Sequence, residues 1–481
     1  MSTDASQMDM ARPEPDGHTK HDGHGGMDMT GTSDTSATMA SGVSMDMSGG
    51  PMAGMQSPPW AHGVAIVLLG IWLITNPFAL TYGNTVLNTS DVISGMIMIA
   101  LAVVALVRRS MWAPWANSLV GVWLLFAPLV FTAPTAAAFA NDTLAGALVI
   151  TFAILMPGMP GMRMIDGPEV PKGWSYNPSS WPQRAPIIAL AFLAFFLSRQ
   201  MSAFQLGYTH SVWEPFFNPG TKGVLNSTVS RSLPISDAGV GAVAYILEGL
   251  MGFMGDKQRW RTMPWMVTFF GILVVPLGVA SITLIILQPL SVGTWCTPCL
   301  VAALAMLIMI ALTLDEVVAM IQFLIQAHRE GQPLWKIFWL GGALKETSTD
   351  TLPVHPDVLT GSAMGWGVTL PWTLMVTTVL GLWLMASPAV LHTSGNVADS
   401  DHLVGALVIT IAVIAFAEVG RTARFINIGF GAWLIAAPWL LNGGTAASKW
   451  TGITVGLLLI MATVRRGPIN ERYGTYDRAI R

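Results

Sequence analysis

The sequence predicts an all-α, polytopic membrane protein of about twelve transmembrane helices. Three observations carry that expectation. Hydrophobic residues make up 52% of the 481 and charged residues 11%, with a mean hydropathy of +0.56, where soluble domains carry about a quarter charged residues. Twelve apolar runs, each near the ~20 residues that cross a ~30 Å hydrocarbon core, fall near 62–80, 91–107, 114–131, 142–157, 185–206, 237–254, 264–288, 297–325, 366–388, 402–418, 425–441 and 450–464. The loops between them are sorted by charge. If the N-terminus is cytoplasmic, Arg108, Arg109, Lys257, Arg259, Arg261, Arg421, Arg424, Arg465 and Arg466 all fall inside, and the outer loops keep only Lys222, Arg231 and Lys449. Positive charge marks the cytoplasmic side, so both termini are expected there. The net charge of −3 says little about partners, and no basic patch suggests nucleic acid.

Residues 1–57 form a tail rich in Ser, Thr, Gly, Met and Asp, a composition that cannot build a core. It contains no apolar signal-peptide segment, so the first span is expected to act as an uncleaved insertion signal. "MDM" occurs at 8–10, 27–29 and 45–47, with His18, His21 and His24 clustered between. Thioethers and imidazoles suit copper, and these histidines are weak candidate ligands in a tail otherwise read as low-complexity.

Residues 58–160 and 365–466 read as related pairs of helical hairpins. "GIWLITNP" (70–77), "GVWLLFAP" (121–128), "GLWLMASP" (381–388) and "GAWLIAAP" (431–438) share G-x-W-L-x-x-x-P, and "GALVIT" recurs at 146–151 and 405–410. Gly is expected to allow close helix approach and Pro to stop each helix. Trp, five residues before Pro, is expected to pack between helices. No paired acids or other chemistry are expected here, so the units read as scaffold. They resemble the SPW-repeat membrane family. Cytoplasmic linkers at 161–184 and 341–364 and a tail at 467–481 complete the chain.

The middle segment, 185–340, supplies four spans and the only two cysteines, Cys296 and Cys299, in "GTWCTPCLVAALAM". The charge pattern places them at the outer face. A C-x-x-C opening a helix lies where unpaired N–H groups and the helix dipole favour a thiolate, and Pro298 suits the first helical position. Structural zinc needs about four ligands, and no other cysteine exists. Redox activity is therefore favoured over a metal site or two inert buried thiols.

Four helices with C-x-x-C opening the fourth resemble the vitamin K epoxide reductase (VKOR) family, over about 185–340. "VLNS" (224–227), "DAGVGAVAY" (237–245) and "GTWCTPC" (293–299) match its order. The resemblance implies a central four-helix redox bundle that takes electrons from protein thiols and passes them to a membrane quinone, ubiquinone or menaquinone. It implies that Cys299 faces the quinone, that Cys296 exchanges with the incoming thiol, and that Ser227 and Asp237 border the quinone pocket. Tyr245 is assigned to packing. It further implies a bacterial inner-membrane location and an extracytoplasmic thioredoxin-like partner. The family's second cysteine pair is absent: its later position falls at Thr221, and Ala303 stands where many members have tyrosine. The thiols are therefore expected to reach Cys296 directly. The outer loop "THSVWEPFFNPGTKGVLNSTVSRSLPIS" (209–236) is read either as a lid presenting Trp213, Phe216 and Phe217 or as an interfacial anchor.

Two charges lie within the spans, where charge is usually paired or functional. Arg199 and Glu248 are expected to approach each other as an ion pair or a proton relay. Asp315 and Glu316, near the inner interface, are given no chemistry. The rival to an oxidoreductase is a non-enzymatic scaffold or copper-handling protein with a static disulfide.

Overall fold

The chain is described by a computed structural model over residues 59–79, 83–156, 165–344, 354–356 and 358–480. The tail 1–57, with His18, His21 and His24, lies outside the described residues. The helices are α1 Pro59–Ala79, α2 Thr85–Arg108, α3 Trp112–Val130, α4 Ala136–Ile154, α5 Trp181–Gln205, α6 Gly220–Leu225, α7 Asp237–Phe253, α8 Arg259–Thr262 and α9 Pro264–Leu287. They continue with α10 Thr297–Arg329, α11 Leu334–Leu340, α12 Trp372–Leu391, α13 Asn396–Phe416, α14 Ile426–Leu440, α15 Ala446–Val464 and α16 Asp477–Ile480.

Among the described residues, eleven helices are long and apolar enough to cross a membrane. A twelfth span appears if Gly220–Ser232 and Asp237–Phe253, bent by 89°, count as one. Every expected run is a helix, though several begin up to six residues away from the apolar window. Polar caps explain the early starts. The side chains of Asn84 and Thr135 accept the first backbone N–H groups of α2 and α4, which places each helix start in polar sequence ahead of the apolar run. Helix α12 starts late, at Trp372, because Pro371 stands immediately before it, and a proline favours the first turn over the interior.

In each repeat unit two helices cross at paired glycines. A Cβ on Gly95 would stand 2.6 Å from the Gly70 carbonyl oxygen, and one on Gly146 2.6 Å from that of Gly121. Gly405 against Gly381 and Gly456 against Gly431 repeat the arrangement. The motif tryptophans differ from expectation. Trp72 and Trp123 are half exposed, and their indole N–H groups reach the neighbouring hairpin, Trp72 to Asn141 Oδ1 at 2.8 Å and Trp123 to Ser90 Oγ at 3.0 Å. Trp433 does the same to Ser400. One edge of the ring ties two hairpins while its face stays outside.

The expectation of no paired acids is also corrected. Asp91 and Asp142 are both fully buried and lie in hydrogen-bond contact with each other. The cross-bonds of Trp72 and Trp123 involve Asn141 and Ser90, the residues just before the two acids. The same approximate symmetry therefore brings the carboxyl groups together.

The central bundle is α5, α7, α9 and α10, with α7 also meeting α3 and α4, and α9 and α10 meeting α13. Helices α5 and α7 run antiparallel in a register fixed by small residues: Gly239 lies against Ser202, Gly249 against Phe192 and Gly252 against Ile188. At the end of the bundle away from the cysteines, Arg259 binds Glu316 through two N–H groups, each at 2.6 Å, with both side chains buried. Tyr176 donates to Asp315. Glu418 accepts from Asn470 N–H, Glu471 N–H and the Tyr473 hydroxyl, fastening the C-terminal segment beneath the bundle. Asp315 and Glu316 therefore serve as structural ties.

Candidate redox site

Helix α10 opens on the cysteine pair. Cys296 stands at its N-cap, with Sγ 3.3 Å from the Cys299 N–H, and a disulfide joins Cys296 to Cys299. The Cys296 N–H donates to Gln288 Oε1 at 3.0 Å. Gln288 is itself buried where α9 ends, so the approach of one helix orients the start of the next. Met201 Sδ lies 3.5 Å from Cys299 Sγ and 4.0 Å from Cys296 Sγ.

The two sulfurs have different surroundings. Cys299 borders a cavity of about 110 Å³. Cys296 is fully buried and clusters with Met201 and Leu225. The cavity is mostly apolar, walled by α5, α7, α9 and α10, and roofed by Val224, Leu225, Ser227, Val229 and Ser230 of the loop. Ala303, where a tyrosine was noted as missing, lines it, as does Tyr245. The Tyr245 hydroxyl lies 3.4 Å from the Ala302 carbonyl oxygen, so the residue assigned to packing also presents a polar group at the cavity.

Ser227 and Asp237 both reach this cavity. Ser227 closes a turn, donating to the Val224 carbonyl at 2.7 Å and accepting from Ser230 N–H. Asp237, the first residue of α7, accepts from the Ser230 hydroxyl at 2.9 Å and from the Gln205 side-chain amide. An engineered apolar cavity of about 150 Å³ holds benzene. This smaller space fits a bare ring closely, and a substituted quinone headgroup requires the roof to give way. The chemistry of the lining, an apolar slot with hydroxyls and a sulfur at its wall, suits such a ring.

The loop covers the site, but not through the residues expected. Phe216, Trp213 and Phe217 are exposed by 78%, 49% and 40%, and none borders the cavity. Glu214, among them, instead reaches the start of α10. Its carboxylate accepts from the N–H groups of Phe216 and Phe217, from the Thr221 hydroxyl, and from both the N–H and the hydroxyl of Thr297. Burial pushes the Glu214 carboxyl up, but hydrogen bonds from the Thr221 and Thr297 side chains and from the Thr297 and Phe217 N–H groups prevail and hold it at about 2. Gly220, at the start of α6, has no room for a side chain: a Cβ there would run into the Trp295 carbonyl oxygen. Thr221 is fully buried. Sequence reading passed over Glu214, although it is the only acidic residue between Gly207 and Ser236.

Cys296 is fully buried against Leu225, Val224 and Val212 of this loop, so a protein thiol reaches its sulfur only when the loop lifts. The expected approach of Arg199 to Glu248 is corrected. Arg199 donates to the Thr143 hydroxyl at 3.1 Å and sits over the Phe139 ring, on α4. Glu248 is fully buried, with neither carboxyl oxygen hydrogen-bonded among the described residues. The register explains the separation. With Gly249 level with Phe192, Glu248 lies about six residues from Arg199 along the helix pair, about 9 Å at 1.5 Å per residue.

Comparison with known families places these observations. Residues 185–314 match the vitamin K epoxide reductase family, and residues 59–156 and 371–465 each match the SPW repeat domain. No curated protein and no solved structure matches the chain. A domain of this family with its C-x-x-C pair in place points to a membrane thiol–disulfide oxidoreductase.

Proposed function

Starting from a vitamin K epoxide reductase domain set between two SPW repeat domains, we propose that this protein oxidises the thiols of a separate extracytoplasmic protein and passes the electrons to a membrane quinone. The observation that carries this reading is the position of Cys299, one half of the disulfide, at the wall of a mostly apolar cavity between four helices and the loop that roofs them. When bound, a quinone would supply a two-electron, two-proton acceptor. Cys299 and Tyr245 would border its ring, Ser227 and Ser230 would offer hydroxyls from the roof, and Asp237 would orient Ser230 and Gln205. Cys296 would exchange with the partner. Nothing in the chain replaces the family's shuttle cysteines, so the partner, of thioredoxin-like character, carries its own dithiol.

The orientation is that of a bacterial inner-membrane protein with both termini cytoplasmic and Cys296 and Cys299 outside, supported by the concentration of Lys and Arg in the loops assigned to the inside. Glu248 serves as a proton-holding group below the cavity. It follows Tyr245 by three residues, about 4.5 Å of rise, and eleven residues at about 100° each bring it within about 20° of the Asp237 face of α7. Arg199 has no part in that role.

The rival reading is a scaffold with a static disulfide, and the burial of Cys296 is the observation in its favour. Purified protein, a reduced thioredoxin-like protein and a soluble quinone separate the two readings. Quinone absorbance should fall with wild type and stay constant with Cys299→Ala. Equal rates for both proteins would end the enzyme reading.

A further inference from the structure

Cys296 is covered by a loop that the Glu214 side chain ties to the start of α10. Glu214 takes hydrogen bonds from Phe216 N–H at 3.1 Å, from Phe217 N–H at 3.0 Å and from the Thr221 hydroxyl, all on its own loop. It also takes them from Thr297 N–H at 2.9 Å and the Thr297 hydroxyl, on α10. The loop is thus tied to the residue that follows Cys296. A helix N-terminus carries about half a positive charge and stabilises a nearby thiolate. A full negative charge seated on that same turn opposes the effect.

We propose that Glu214 is a positioning residue for thiol exchange at Cys296: its carboxylate holds the loop shut over that sulfur and, in the same place, withholds from it the thiolate stabilisation of the α10 N-terminus. The proposal rests on the reading that the pair exchanges with a protein dithiol. Lifting the loop removes the cover and the charge together, so access and reactivity appear at one moment. In the exchange, a partner thiolate attacks Cys296 Sγ, the bond to Cys299 breaks, and Cys299 leaves as a thiolate. The partner's second thiol then displaces Cys296. One partner dithiol becomes a disulfide, and two electrons and two protons pass to Cys296 and Cys299.

Other ionisable groups stand around the pair. Asp237 borders the cavity on the side of Cys299, His402 of α13 meets the Trp295 ring at 5.9 Å, and Lys222 of α6 is exposed. Helices α5 and α9 present Met201 and Gln288, which do not titrate. All of these are left intact by substitution at Glu214 or Thr221.

The test uses the full chain in detergent and two readouts that involve no quinone. One is the rate at which a small dithiol reduces the Cys296–Cys299 disulfide. The other is the pH midpoint for alkylation of the reduced pair. Glu214→Gln should raise the reduction rate and lower the midpoint by about one unit, the lower end of what a close charge contributes. Alkylation at neutral pH should then be about tenfold faster. Thr221→Val, which weakens the fastening but keeps the charge, should raise the reduction rate and move the midpoint much less than Glu214→Gln does. A Glu214→Gln protein with both quantities unchanged overturns the proposal. A faster rate with an unmoved midpoint overturns the electrostatic half and reduces Glu214 to a latch. If Glu214→Gln does not fold, an unchanged reduction rate in Thr221→Val overturns the proposal and a faster one supports it. Failure of quinone reduction in wild type would remove the proposed acceptor without touching these results.

Discussion

Cys299 stands at the wall of the cavity between α5, α7, α9 and α10, while Cys296, bonded to it, has no exposed surface. One disulfide thus has one sulfur at a cavity among the helices and the other packed beneath a loop. The asymmetry is expected to persist in the reduced protein and to show in single-cysteine variants. A small lipid-soluble maleimide should label Cys299 in Cys296→Ala about tenfold faster than it labels Cys296 in Cys299→Ala, because access governs thiol modification alongside thiolate content. Mass shifts on a time course give both rates. Equal rates would mean that the loop does not protect Cys296.

The Glu214 fastening has a defined acid limit. Its carboxyl is held at about 2 against an ordinary value of 4.5. A group whose folded value is depressed contributes stability that is complete above the unfolded value and lost as pH falls through the folded one. The loop should therefore be fully fastened above about pH 4.5 and loosen progressively toward pH 2. Hydrogen exchange at the Phe216, Phe217 and Thr297 amides, corrected for intrinsic rates, reports this directly. Protection should be level from pH 7 to 4.5 and fall below it. Protection undiminished at pH 2 would contradict the assignment.

If Glu248 holds a proton for the bound quinone, as proposed, its substitution should move function and stability in opposite directions. A buried carboxyl without a hydrogen-bond partner is costly, by about 1–3 kcal/mol in comparable polar burials. Glu248→Met should accordingly raise thermal stability. Both Glu248→Met and Glu248→Gln should slow quinone reduction by about a hundredfold, the scale of a lost general acid, with reduction of the disulfide by small dithiols unchanged. A solvent deuterium isotope effect present in wild type and absent in Glu248→Gln would separate proton delivery from a packing role. Undiminished quinone turnover in Glu248→Gln would remove Glu248 from the chemistry.

Much of the architecture was readable because hydrocarbon imposes one requirement on every span: a helix of sufficient length that satisfies its own backbone. The repeated glycines were readable for a similar reason, since close helix approach needs a small residue on both sides, and Gly70 and Gly95 now face each other across the crossing. The cysteine pair was visible from spacing alone. Side-chain partnerships were not. Glu214 finds Thr297, 83 residues away, only after α10 and the loop have been brought together. The supposed meeting of Arg199 and Glu248 failed because depth in each helix was judged without the register between them, which the contacts of Gly249 and Gly252 set.

The Asp91–Asp142 contact illustrates the same lesson and gives the last prediction. The acids lie 51 residues apart, the spacing of Trp72 and Trp123, so they occupy the same place in two units. Asp91 accepts no N–H or hydroxyl hydrogen bond among the described residues, and its partner is the carboxyl of Asp142. Two carboxyl groups in hydrogen-bond contact need a proton between them, as in other buried carboxyl pairs. Removing one should strand the other in an apolar interior. Asp142→Ala should therefore cost about 2–4 kcal/mol, combining a lost partner with a small cavity. Asp91→Asn should cost less, because an amide can donate to the Asp142 carboxylate without a shared proton. The Asp91→Leu, Asp142→Leu double variant should recover much of the loss of Asp142→Ala, since it leaves no polar group behind. Thermal unfolding of the three variants in one detergent checks the order. Equal destabilisation by all three would mean that the two acids do not act as a pair.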